Sequence, residues 1–236
     1  MIWPFSFKSK PLLEKLSPIS GKISVFRKGK GLQLVVGGLV QSVSLNTENV
    51  GDRVWGVIVE QALIKRESFK NVLILGLGGG TVAHLLVKKF PEVKIVGVEI
   101  DPVIVQIGRE EFNLNKLKNL KIITDDAFAV AGDPEKYKLA KNSFDLVVVD
   151  LYLGSLFPQE FGTRGFLEDV RNLLSDKGVV VINRILPVSE KMEKELFADI
   201  LKKYFNHIAV REIQGTKDER NFIFSGCKDS SRGSNP

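Results

Sequence analysis

Apolar residues fall into two regimes along this chain. Before about residue 50 they occur in short extended runs: KISVFRKG from Lys22, LQLVV from Leu32 and LVQSVSL from Leu39, with Gly37-Gly38 between the last two. Two β-rich runs joined by a glycine pair predict a hairpin, so a small β unit is expected over residues 21–50. Residues 1–20, with Pro4, Pro11 and Pro18, read as an irregular arm. After a turn at Asn46–Gly51, Trp55, Ile58, Val59, Ala62 and Leu63 recur at helical spacing and predict a helix over 52–66.

From Asn71 the second regime begins. Near-continuous runs of Val, Ile and Leu at 71–76, 94–100, 120–124, 144–150 and 178–184 predict strands covered on both faces. Helical segments separate them at 80–90, 102–112, 126–131 and 163–175, and Asp101-Pro102 supplies an N-cap followed by proline at the first helical position. A further helix is expected over 189–204, with Met192, Leu196, Phe197, Ile200, Leu201 and Tyr204 as one apolar stripe. Runs at 207–212 and 220–225 predict a closing hairpin, and 227–236 reads as a disordered tail. The alternation defines an α/β fold, a doubly wound Rossmann-like sheet over 51–226 with a small N-terminal β-rich extension.

Composition narrows the function classes. With 236 residues, 44% hydrophobic and 26% charged, the chain can bury a sizeable core, which excludes disorder as its main state. The single cysteine, Cys227, excludes a disulfide scaffold and fits a reducing cytoplasm. The uncharged run between Lys70 and Lys88 is broken by Gly76, Gly78, Gly79 and Gly80, so no membrane span is expected there. The opening MIWPFSFKSK puts apolar residues before its lysines, the wrong order for a secretory signal. The net charge of +6 resides in the first 30 residues, where seven lysines and arginines face only Glu14. No aromatic interleaving accompanies these lysines, so the arm is read as solvated and nucleic acid is not an expected partner. Trp3, Phe5 and Phe7 are expected to pack the arm on the body or on a partner subunit, and a homodimer would form through this N-terminal region.

The chemistry concentrates at strand ends. The strand 71–76 runs into Gly76-Leu77-Gly78-Gly79-Gly80-Thr81 and then a helix, the switch point where doubly wound sheets bind ligands. Glu99 ends the next strand, where an acid can accept hydrogen bonds from ribose hydroxyls. Asp125 and Asp126 follow the third strand and Asp150 ends the fourth. One such acid is usually a helix cap, whereas four lining one edge beside a glycine loop define a ligand site. Thr81 stands where a dinucleotide fingerprint would have glycine, and no P-loop is present. His84 and His207 have no partners at metal-ligand spacing, so no metal is expected, and no serine has the context of a hydrolase nucleophile.

GLGGGT, VEID, TDDA and VVVD, in this order and spacing, resemble the AdoMet-dependent methyltransferase fold, and within it the spermidine-synthase-like (polyamine aminopropyltransferase) branch. LVVGGLVQSV and the helix containing Trp55 add to the resemblance, which covers roughly residues 21–225. It implies a donor, decarboxylated S-adenosylmethionine or S-adenosylmethionine, whose methionine-derived chain lies near Gly76, Gly78 and Gly80. It implies further that Glu99 holds the ribose, Asp126 the adenine amino group, and Ile100 and Ala127 the adenine faces. Asp150, with Tyr152, falls where that branch deprotonates the attacking amine, and Gln41 and Trp55 fall near its substrate pocket. Two positions depart from the pattern: Thr81 replaces an acid after the glycine triplet, and Leu153 replaces a second acid three residues after Asp150. The function implied is aminopropyl transfer to a small-molecule amine in cytoplasmic polyamine biosynthesis. A methyltransferase on the same scaffold and a non-catalytic nucleoside-binding module remain as alternatives.

Overall fold

The early extended runs pair as a four-stranded antiparallel sheet: β1 (Leu13–Ser17), β2 (Gly21–Lys28), β3 (Gly31–Val36) and β4 (Leu39–Val43), in that spatial order. The computed structural model describes residues 10–152, 163–187, 191–213 and 219–228. Gly37 and Gly38 both have positive φ (57° and 83°), as a tight two-residue hairpin turn requires. The expected irregular arm is corrected in part, because β1 pairs with β2 from Leu13↔Val25 to Ser17↔Gly21. Pro11 and Pro18 flank this strand rather than interrupt it, where the missing N–H costs no ladder bond. Trp3, Phe5 and Phe7 lie outside the described residues.

Burial is continuous over Ile23–Phe26 of β2 and nearly so along β3 because the middle of the small sheet is covered on both faces. Ile23, Val25, Leu34 and Val36 pack with Ile104, Ile107 and Phe112. Phe26, Val35, Val40 and Val43 share a core with Trp55, Ile58 and Ile74.

A 3-10 turn at Val50–Asp52 leads into α1 (Val54–Lys65). The chain then alternates through β5 (Asn71–Leu75), α2 (Thr81–Lys89), β6 (Lys94–Glu99), α3 (Pro102–Glu110), β7 (Leu120–Thr124), α4 (Ala127–Gly132) and β8 (Phe144–Val149). It ends with α5 (Arg164–Leu173), β9 (Leu174–Pro187), α6 (Lys191–Leu201), β10 (Asn206–Ile213) and β11 (Glu219–Cys227). The seven-stranded sheet has the order β10-β11-β9-β8-β5-β6-β7, with β11 antiparallel to both β9 and β10. The chain builds outward from β5 through β6 to β7, then returns to the other side of β5 for β8 and β9. The crevice at that reversal is where the loops after β5 and β8 diverge.

Several boundaries differ from the sequence reading. β9 starts at Leu174, directly after α5, and runs to Pro187. Cys227 still belongs to β11, paired with Val179, and Lys228 Nζ donates to the Leu174 carbonyl at 2.7 Å. Cys227 and Lys228 are therefore ordered where a disordered tail was expected, and residues 229–236 lie outside the described residues. On α6, Phe197 and Leu201 are buried, but Met192 is 82% and Leu196 61% exposed, so the apolar stripe is only partly used. Among the described residues no helix is long and apolar enough to cross a membrane.

Candidate active site

A cavity of about 370 Å³ opens at the carboxyl ends of β5, β6, β7 and β8, roofed by β4 and the start of α1. This volume lies within the range of small-molecule sites, about 300–1,000 Å³. Gln41, Trp55, Gly76, Gly78, Glu99, Ile100, Asp126, Ala127, Asp150 and Tyr152 all line it. Of the candidate residues only Gly80 is not in the wall. It precedes α2 with φ 83°, packed so closely that an added Cβ would lie 2.2 Å from Leu114 Cδ2.

The glycine loop is held in place from three sides. Gly76 and Leu77 both donate to the Val98 carbonyl, at 3.0 and 2.9 Å. Gly78 N donates to Glu99 Oε2 at 2.8 Å. Gly79 N donates to Ser42 Oγ at 2.8 Å, so β4 supplies a hydrogen-bond acceptor to the loop. Gly76 has φ 88°, and a Cβ there would lie 2.1 Å from the Asp150 carbonyl oxygen. This contact brings the ends of β5 and β8 together, and only glycine permits it. Gly76→Ala should lower stability by about 2–4 kcal/mol, combining left-handed strain with overpacking, measurable as the denaturant midpoint. An unchanged midpoint would contradict the close approach.

Thr81 explains one departure from the family pattern. Its hydroxyl is buried, accepts from Val43 N at 2.9 Å and donates to the Val43 carbonyl at 2.8 Å. The residue that the resemblance would have as an acid instead ties α2 to the N-terminal sheet. Thr81→Val keeps the shape and removes both bonds, leaving buried backbone groups unpaired. The expected loss is about 1–3 kcal/mol in thermal or chemical unfolding. A neutral result would mean that the pairing contributes no net stability.

Glu99 is buried, and its second oxygen accepts from Asp101 N at 3.1 Å. Burial raises its pKa, opposed in part by these backbone donors. Asp126 caps α4, its Oδ1 accepting from Phe128 N at 2.9 Å. Asp125 accepts from the Tyr137 hydroxyl at 2.8 Å, which with the Asp126 amide holds its carboxyl below the ordinary value. Asp150 is half-buried, and desolvation raises its pKa from 3.8 to about 6 against the opposing hydrogen bond from Asn183. The Tyr152 hydroxyl donates to the Asn183 carbonyl at 3.2 Å and accepts from Ile185 N at 2.7 Å, anchoring it to β9.

Asn183 and Asn221 were not singled out in the sequence, yet both line the cavity. The available signal was a polar residue inside the apolar run GVVVINR. Ser42, which carries no motif signal in the sequence, holds the glycine loop. His84 Nε2 lies 2.7 Å from the Phe112 carbonyl, and burial lowers its pKa, a packing role. Leu153 falls outside the described residues. Among the described residues no group of three or more His, Cys, Asp or Glu side chains could hold a metal ion. The described lining contains four carboxylates, Glu99, Asp125, Asp126 and Asp150, and no Lys, Arg or His.

A glycine loop at the switch point, acids at three successive strand ends and an antiparallel β11 set this domain among the methyltransferase-like α/β folds. Residues 67–224 match the family model described as a methyltransferase domain, and the chain belongs to that family. Its sequence is similar to a polyamine aminopropyltransferase of Vibrio vulnificus, 35% identical over 48% of this chain and 37% of that protein. It is also similar to an eEF1A lysine and N-terminal methyltransferase homolog of Drosophila pseudoobscura pseudoobscura, 30% identical over 59% of this chain and 21% of that protein. The matches thus span about a third of the first relative's length and a fifth of the second's. A probable spermidine synthase from Corynebacterium glutamicum superposes with a TM-score of 0.74 at 21% identity, covering 97% of this chain and 83% of that one. That likeness gives the fold, including the small N-terminal sheet.

Proposed function

We propose that the protein transfers an aminopropyl group from decarboxylated S-adenosylmethionine to a small-molecule amine. The observation that carries this reading is the charge of the cavity: four carboxylates and, among the described lining residues, no cationic side chain. Such a wall favours a sulfonium and an ammonium together. A ligand carboxylate would have no side-chain counter-ion there, and burying one unpaired is costly. The similarity to a polyamine aminopropyltransferase supports the same choice.

The residues present fit the donor. Ile100 and Ala127 offer apolar surface for a purine, Glu99 can accept from ribose hydroxyls, and Gly76 and Gly78 leave room for the chain bearing the sulfonium. The donor, when bound, supplies an electrophilic carbon attached to positive sulfur. Asp150 is largely ionised near neutral pH. It accepts a proton from the incoming ammonium, freeing the lone pair that forms the new C–N bond as the C–S bond breaks. The breaking bond's electrons go to sulfur, giving the neutral thioether methylthioadenosine. The wall orients both reactants, which contributes much of the rate.

A second reading, methyl transfer from S-adenosylmethionine, is favoured by one observation. Thr81 occupies the position where the aminopropyltransferase pattern has an acid after the glycine triplet, and its hydroxyl is spent on Val43. The similarity to a lysine methyltransferase homolog agrees with it. Calorimetry with decarboxylated S-adenosylmethionine, S-adenosylmethionine and methylthioadenosine, alongside product assays across a panel of amines, separates the two. Methyl transfer without aminopropyl transfer would overturn the leading reading.

A further inference from the structure

Behind Asp150 the otherwise apolar sheet carries two buried carboxamides. Asn183 on β9 is 3% exposed and Asn221 on β11 is 1% exposed. β9 and β11 pair antiparallel with Asn183 opposite Ile223 and Asn221 opposite Ile185, so the two asparagines form a diagonal pair on one face. Asn183 Nδ2 donates to Asp150 Oδ1 at 2.8 Å, and Asn221 Nδ2 donates to Asn183 Oδ1 at 2.9 Å. The Asn221 Oδ1 atom at the far end is buried without a hydrogen-bond partner among the described residues. Burying two amides and leaving an acceptor unpaired costs stability that valine or leucine at these positions would not.

We propose that Asn221 and Asn183 form a directional amide relay that fixes the orientation and proton affinity of Asp150, with Asn221 acting as a positioning residue through Asn183. The catalytic meaning of this relay rests on the reading of Asp150 as the base. Its direction follows from the donors. A carboxylate accepts only, so it turns the Asn183 amide group toward itself. Asn183 then presents its oxygen to Asn221, whose amide locks the arrangement against a flip. Were Asn183 to flip, its oxygen would face the carboxylate and oppose ionisation.

Other charged groups around Asp150 do not replace this control. Tyr152 is bonded to β9, and Glu99, Asp125 and Asp126 share the cavity as like charges. Arg184, next to Asn183, is paired with Glu193 of α6, and Arg220, next to Asn221, with Glu212 of β10. Being consecutive strand residues, these arginines point to the opposite face from the asparagines.

The test is a carboxyl 13C NMR titration of the full chain labelled at aspartate, with the Asp150 signal assigned by its loss in Asp150→Asn. Asn183→Leu should raise the Asp150 midpoint by about one pH unit, the effect of losing one hydrogen bond to the charged form. Asn221→Leu, at a residue that bonds to Asn183 and not to Asp150, should raise it by about half as much. In turnover assays Asn221→Leu should lower kcat more at pH 6 than at pH 8 and leave methylthioadenosine affinity unchanged. If Asn221→Leu fails to fold, the wild-type protein still decides: the Asn221 side-chain 15N signal should titrate with the same midpoint as Asp150. An Asp150 midpoint unmoved in Asn221→Leu, or an Asn221 signal indifferent to the Asp150 titration, overturns the relay. Because the titration needs no substrate, absence of both transfer activities would overturn the proposed function and leave the relay standing.

Discussion

Replacing Asp150 with asparagine should cut turnover by about 10²-fold or more, the size of a general-base contribution, while methylthioadenosine binds almost as before. The same variant should be more stable than the parent at neutral pH. Folding raises the carboxyl's pKa from 3.8 to about 6, so the folded state holds this proton more tightly than the unfolded chain does. The resulting stabilisation is fully present below about pH 4 and is lost as pH rises through about 6, where ionising the half-buried group costs up to about 3 kcal/mol. Asparagine never ionises and can still accept from Asn183 through its carbonyl. The gain in thermal midpoint at neutral pH should therefore vanish at pH 4. For the parent enzyme the same titration predicts activity falling below about pH 6. A variant with unaltered turnover would remove Asp150 from the chemistry. One with lost turnover and lost nucleoside affinity in equal measure would make it a binding residue.

Glu99→Ala should weaken methylthioadenosine at least tenfold, since each charge-assisted hydrogen bond to a ribose hydroxyl contributes about 1.5–3 kcal/mol. It should also lower stability, because the Gly78 and Asp101 amides lose their acceptor. Glu99→Gln separates the two effects. It retains one carbonyl oxygen for the loop, so stability should recover more than affinity does. Calorimetry and thermal unfolding of both variants give the comparison. An unchanged dissociation constant in folded Glu99→Ala would end the ribose assignment.

The strands of the large sheet were legible because β5, β6 and β8 are largely buried and write themselves as near-continuous Val, Ile and Leu. The acids at their ends were legible because a strand end is a fixed place in a doubly wound sheet. β1 was not legible: LEKLS alternates only weakly, lies at an edge, and gains its order from β2 rather than from its own composition. Met192 and Leu196 satisfy a helical period, but periodicity identifies a face and not how wide a strip of it will be covered. The relay asparagines were missed for another reason. A polar residue in an apolar strand is visible, but its partner lies 38 residues away, and only the antiparallel register of β9 and β11 sets them side by side. Likewise Ser42 meets Gly79, and Thr81 meets Val43, across sequence gaps that no local pattern spans.

Those two stitches change what the word domain can mean for this chain. The glycine loop completes its hydrogen bonding only with atoms of β4, and the core around Trp55 and Ile74 is filled from β2, β3 and β4 as well. A cut at residue 51 would separate two tidy stretches of sequence, yet it would strip acceptors from Gly79 and Thr81 and open an apolar wall beside the loop. The first 50 residues are thus not an accessory hung on a self-sufficient Rossmann unit. They and the large sheet share one core, in which the loop facing the cavity is held by a strand that precedes it by 37 residues.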